Sequence, residues 1–254
     1  MKRVDSVISL IYSMSKAEKK AFSVQMLKDK EEKDYLVIYD IITKSKQLDS
    51  KNVKGEFHKR RPGGSFEVSI QYLYERLTDS LLTLRKKKDI YYDLLNNLCK
   101  ARMLYERSLF EECFEILSDT IEQATYYENN EVLTIALKLE LEYLLRLNFP
   151  NLAESELYHK HFMQNEALKK TRKIVEQSSL HNLLKYRLSH IGSIRTSKQK
   201  QDMNDLMVNE LSIAASSGIE GNFELMRNHR LFQANYLMGA GEYKAALNSY
   251  KELS

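Results

Sequence analysis

The stretch Leu94 to Thr125, LLNNLCKARMLYERSLFEECFEILSDTIEQAT, decides the fold. Leu94, Leu98, Ala101, Leu104 and Tyr105 fall three or four residues apart and draw one apolar stripe on a helix. The pattern breaks near Ser108, and Phe110, Cys113, Phe114, Leu117, Ile121 and Ala124 draw a second stripe. The connection Glu106-Arg107-Ser108-Leu109 is short enough to admit only an antiparallel neighbour. Neither helix can bury its stripe alone, and the small side chains of Ala101 and Cys113 let two backbones approach closely. The stretch is therefore expected to be a helical hairpin that must stack on others.

Composition agrees with a helical chain. Among 254 residues there are only 8 Gly and 2 Pro beside 43% hydrophobic and 29% charged residues, which leaves little turn chemistry for a sheet protein. The 16 Tyr and 9 Phe, with no Trp, are amphipathic bodies suited to partly closed helix seams. Residues 1–90 carry 20 Lys and Arg against 13 Asp and Glu, net +7; residues 91–254 carry 19 against 22, net −3. The two parts are expected to attract different surroundings.

Working outward toward the N-terminus, helices are expected over about Val4–Met14, Lys16–Leu27 and Tyr35–Thr43. Ser15 and Glu18 form a capping box at the start of the second. Asp49 or Ser50 caps a short helix across Val53 and Phe57, and Arg61-Pro62-Gly63-Gly64-Ser65 makes a turn or mobile loop. A long stripe from Phe66 to Leu84 follows, ending in the basic run Arg85–Lys88. Toward the C-terminus, Glu131–Leu147 and Leu152–Leu168 are expected as a hairpin, with Pro150 in the first turn of its second helix. Lys170–Ile191 and Lys200–Ser216 make a third pair across the polar loop Gly192–Gln199, and Gly218 and Gly221 punctuate the step to a fourth.

The hairpin pattern resembles the tetratricopeptide repeat, whose 34-residue unit carries small residues at its eighth and twentieth positions and a turn glycine followed by an aromatic. In the first unit Ala101, Cys113 and Phe110 fit and Ser108 stands in for the glycine, with Leu117 on the same stripe. In the last, NHRLFQANYLMGAGEYKAALNSYKEL from Asn228 to Leu253, Ala234, Gly241, Tyr243, Ala246 and Tyr250 take the corresponding places. The first-helix Trp and the closing proline of the family are absent, and the period drifts: Phe110 to Phe149 is 39 residues. The start of the chain, Ser13 to Phe22 and onward, is similar to helical-repeat proteins of Bacteroidetes that carry no assigned activity. The resemblance implies an all-α, right-handed α-α superhelix of hairpins over 89–254, its last repeat incomplete, preceded by an N-terminal helical region, 1–88.

Chemistry-bearing motifs are sparse. There is no GxSxG, GxGxxG or GxxxxGK[ST], so no enzyme activity and no cofactor is expected. His159 and His161, two apart on a helix, point about 200° away from each other and cannot chelate one ion, and no metal site is expected. Cys99 and Cys113 lack a CxxC spacing and read as buried thiols on the two stripes. No apolar run is long enough to span a membrane, and the first residues read as an amphipathic helix, so the chain is placed in the cytoplasm. Two functions follow as expectations. The first is a scaffold binding a protein or peptide partner in its helical groove. The alternative is a DNA-binding regulator whose helix-turn-helix lies around Lys59, Arg60 and Arg61, joined to a repeat sensor. The final helix, with Ala245, Ala246, Leu247, Tyr250 and Leu253 spread over a wide arc, is expected either to continue into a further repeat or to self-associate.

Overall fold

The computed structural model describes residues 2–26, 33–45, 49–86, 88–150, 152–192, 194, 196–216 and 222–252. Among these the only regular structure is helical, in twelve helices, and none is long and apolar enough to cross a membrane. The chain divides into two compact units, Met1–Asp93 and Leu94–Ser254.

The first unit holds α1 (Lys2–Ser13), α2 (Lys16–Met26), α3 (Asp34–Lys44), α4 (Ser50–Arg60) and α5 (Phe66–Lys86). Its centre is α3, in which Tyr35, Val37, Ile38, Tyr39, Ile41 and Ile42 are all buried. A helix with so wide an apolar arc must be covered by several others, and α1, α4 and α5 pack against it, leaving Asp40, Thr43 and Lys44 on its open side. Val7, Ile11, Phe22, Phe57, Leu73 and Leu77 complete the core. The capping box forms as expected: the Ser15 N–H donates to Glu18 Oε2 at 2.8 Å and the Glu18 N–H to Ser15 Oγ at 3.2 Å. The Ser15 backbone donor, first among its causes, holds the Glu18 carboxyl below its ordinary range. Asp49, not Ser50, caps α4, accepting from the Asn52 N–H at 2.8 Å. The turn between α4 and α5 is tight: a Cβ at Gly64 would stand 2.8 Å from both the Phe57 ring and Asp34 Oδ2.

The second unit runs α6 (Ile90–Glu106, in this unit from Leu94 on), α7 (Phe110–Tyr126), α8 (Asn130–Arg146), α9 (Glu154–Ile191), α10 (Ser197–Ser216), α11 (Phe223–Gly239) and α12 (Tyr243–Lys251). The first three are each 17 residues long, and their first residues, Ile90, Phe110 and Asn130, stand twenty apart. One device ends them all. Ser108, Glu128 and Asn148 take left-handed φ of 61°, 53° and 59°. One residue beyond each, the N–H of Leu109, Asn129 or Phe149 reaches back to the carbonyl of Leu104, Ala124 or Leu144 at 3.0, 2.8 and 2.8 Å, the Schellman closure. Gly241, with φ 83°, closes α11 the same way through Glu242 N–H to the Leu237 carbonyl at 2.9 Å. Two such steps make 40 residues, so Phe149 is the counterpart of Leu109 and Asn129 and not of Phe110, and the 39-residue interval joins non-equivalent positions.

Several expectations need correcting. The helices expected over Leu152–Leu168 and Lys170–Ile191 are one helix of 38 residues, about 57 Å long at roughly 1.5 Å per residue. Leu168-Lys169-Lys170-Thr171 contains no breaker; the stripe falters there because the buried face rotates, from Ala167 to Gln177 and Leu184, as the packing partner changes from α8 to α10 and α11. Pro150 lies in the turn four residues before α9 begins, so it closes the preceding turn and starts no helix. Thr196 and Gln199, expected in a loop, form a second capping box for α10, at 3.0 and 3.2 Å. Cys113 is buried as expected, but Cys99 is exposed: it follows Leu98 by one residue and so points about 100° off the buried stripe. Tyr243, expected in the packing of the last hairpin, is 69% exposed, whereas Ala234 and Ala246 are buried where α11 and α12 meet. Gly218, Gly221 and Leu253 lie outside the described residues.

Candidate functional site

Where three successive antiparallel helices pack side by side, the middle one becomes a floor and its neighbours become walls. α8 plays that part between α7 and α9. It is the most fully buried of the four 17-residue helices, with Val132, Leu133, Ala136, Leu137, Glu140, Tyr143 and Leu144 all covered. Above it opens a groove of about 620 Å³. Leu137, Glu140 and Leu144, spaced i, i+3, i+7, line the floor; Phe114 and Ile121, seven apart on α7, line one wall. The other wall is Pro150, Leu152 and the first turns of α9, where Ser155, His159 and Met163 succeed one another at i+4 steps beside Glu156 and Lys160.

The one charge of the floor is neutralised in place. Glu140 is 6% exposed, and Lys160 Nζ donates to both its carboxylate oxygens, at 2.9 and 2.8 Å. A buried carboxylate is tolerated only when paired in this way, so the pair fixes the register of α9 on α8 and leaves a floor without net charge beside a wall that carries Ser155, Glu156 and His159. At one end Tyr105 of α6 stacks on Tyr143 of α8, ring centroids 3.7 Å apart, and meets Phe110 of α7 at 5.3 Å. Burial raises both the Tyr143 hydroxyl and the Cys113 thiol, so neither is a reactive anion near neutral pH.

The residues singled out in the sequence fall in different places. Ala101, Cys113 and Leu117 are fully buried and Phe110 is half-buried in the α6–α8 stack. At the far end Tyr250 donates its hydroxyl to Asn235 Oδ1 at 3.3 Å. The three cations singled out in the first unit are engaged within it: Lys59 Nζ with Glu56 at 2.6 Å, Arg60 with Asp40 at 3.1 Å and Arg61 with Asp34 at 3.6 Å. The hydrogen bond from Lys59 holds the Glu56 carboxyl below its usual range. The outward side of α5 offers Glu67, Gln71 and Glu75; the first is bonded to Lys54 at 2.5 Å, and Gln71 donates to Glu75 at 2.6 Å.

Sequence reading did not find the polar seam between α9, α10 and α11. Glu210 of α10 is wholly buried; His229 Nδ1 lies 2.5 Å from its Oε1, and Gln177 Nε2 donates to the same oxygen at 3.4 Å. Glu210 Oε2 and Gln177 Oε1 have no protein partner. Asn228 bonds Ser178 at 3.2 Å and Asn235 bonds His181 at 2.9 Å, which burial, its largest cause, holds below the ordinary histidine range. The signal was present in Asn228 and Asn235, seven apart on the same side of a helix as Phe232, but their partners stand 50 and 54 residues away.

No protein family, curated protein or solved structure matches the chain.

Proposed function

We propose that the chain is a non-enzymatic, tetratricopeptide-like helical-repeat scaffold that holds an apolar segment of a protein partner in the groove between α7, α8 and α9. The observation that carries this reading is the groove itself: about 620 Å³ bounded by Phe114, Ile121, Leu152 and Met163 over a floor whose buried carboxylate is already paired. A segment entering it displaces water from apolar walls and meets no uncompensated charge on the floor. The buried Ala101, Cys113, Ala234 and Ala246 and the recurring left-handed turns support hairpins of the repeat kind, with a 40-residue step longer than the family's 34. Two free thiols suit a reducing compartment such as the cytoplasm. The DNA-binding alternative rests on the net +7 of residues 1–90, and the pairing of Lys59, Arg60 and Arg61 with carboxylates weighs against it.

The test is selection from a random peptide library on the immobilised chain, followed by binding of the selected peptides to Phe114→Glu and Met163→Glu variants. Both side chains stand on walls, so helix content and melting should hold while binding falls at least tenfold. Peptides bound equally by both variants would place the site elsewhere.

A further inference from the structure

A second pocket, of about 400 Å³, lies in the second unit where the turn between α7 and α8 meets the start of α11. Tyr126, Tyr127 and Phe223 line it together with Glu128, Glu224 and Arg227. These rings are 79%, 54% and 59% exposed, two at the α7–α8 turn and one at the start of α11, an unusual gathering of open aromatic surface. The two tyrosine rings stand perpendicular, 90° between planes with centroids 5.0 Å apart, so they offer two faces at a right angle.

The pocket is built rather than incidental. Glu128 occupies the left-handed position that Ser108, Asn148 and Gly241 fill in the equivalent turns, a conformation that disfavours a long side chain. Its carboxylate Oε2 accepts the Phe223 N–H at 2.9 Å, across 95 residues, and so fixes the first residue of α11 beside the tyrosines. Arg227 lines the same pocket but pairs with Glu224 at 3.1 Å. Two carboxylates against one guanidinium leave a net charge of −1.

Elsewhere the chain covers ring faces with its own cations: Arg3 lies 4.3 Å from the Tyr74 centroid, Lys54 5.7 Å from Phe66 and Arg76 5.8 Å from Tyr72. Among the described residues no cation of the chain lies over Tyr126, Tyr127 or Phe223. Perpendicular open π-faces rimmed by net negative charge are what a bulky, weakly hydrated cation requires.

We infer that this pocket binds an alkylated ammonium group, either free or as the side chain of a partner's methylated lysine. It is separate from the α7–α9 groove and does not depend on it. The experiment follows the ring resonances of labelled tyrosine in the full chain during titration with tetramethylammonium, with a trimethyllysine peptide, and with 3,3-dimethylbutanol as an uncharged isostere. Saturable shifts at Tyr126 and Tyr127 with either cation and none with the alcohol are expected; the stronger of the two cations identifies the source. Tyr126→Ala should weaken the affinity roughly two- to fivefold, and Arg227→Ala, which frees Glu224, should strengthen it. Tyr158→Ala, an exposed tyrosine on α9 outside the pocket, should leave it unchanged. Equal shifts with the alcohol, no saturable shift with either cation, or an affinity indifferent to Tyr126→Ala would overturn the assignment.

Discussion

The first unit closes around one largely apolar helix, whereas the second is a succession of helices in which a polar seam runs beside an apolar cluster of Leu184, Met203, Leu206 and Phe232. In the first, α3 buries six side chains, and Lys59 and Arg60 of α4 with Arg61 just beyond it are matched by carboxylates on α4 and α3, Lys54 by Glu67 of α5. In the second, Gln177, Glu210, Asn228 and Asn235 are buried between α9, α10 and α11, while Tyr126, Tyr158, Phe162, Tyr186 and Phe223 stay exposed. Both units leave apolar side chains exposed, Val24 and Val68 in the first among them, but the most exposed rings and both candidate binding surfaces lie in the second.

The largest expected effect tests whether its polar seam is structural. His229→Ala leaves the buried Glu210 Oε1 without its nearest partner and should cost up to about 3 kcal/mol in denaturant unfolding. Adding Glu210→Gln should return most of it, since the new amide can donate to the unpartnered Gln177 Oε1. If the double variant is no better than the single one, the seam is not organised around Glu210. Next comes the packing of the stack. Cys113→Leu should cost about 1–3 kcal/mol by overfilling a close crossing, and Cys113→Ala much less; equal melting temperatures would show slack at that crossing.

In the first unit the corresponding probe is local. Ser15→Ala removes one arm of the capping box and should cost about 0.5–2 kcal/mol. Because the folded Glu18 carboxyl titrates below its unfolded value, its share of stability is full above the unfolded pKa and is lost as pH falls through the folded one. The smallest effect is expected at His181. Its folded pKa lies below the ordinary 6.5, so the unfolded chain binds the proton first and stability declines as pH falls through 6.5. His181→Asn should flatten that decline in a series of melts from pH 7.5 to 5.5, and an unchanged slope would mean that the ring is not held neutral by burial.

What could be read in the sequence was what local spacing encodes. Ser15 with Glu18 and Asp49 with Asn52 act within three residues, and the stripes of α5, α6 and α7 repeat within one helix. Thr196 with Gln199 was equally local but was masked by the polar run after Gly192. The continuity of α9 was obscured because a helix that changes partners midway has no single stripe. The residues that line the pocket between α7, α8 and α9 could not be read, since Glu140 meets Lys160 only once α8 and α9 have docked. The Glu128 cap on α11 spans 95 residues, and no periodicity announces it.

The twenty-residue interval between Ile90, Phe110 and Asn130 also constrains how such a chain can change length. Each interval reverses the direction of travel, so gaining or losing one would send everything downstream out of the wrong end of the stack. Only paired intervals, 40 residues at a time, preserve direction. Among natural variants of this chain, insertions and deletions within the stack should therefore fall in whole pairs, and a designed excision of 110–149 should be tolerated better than one of 110–129.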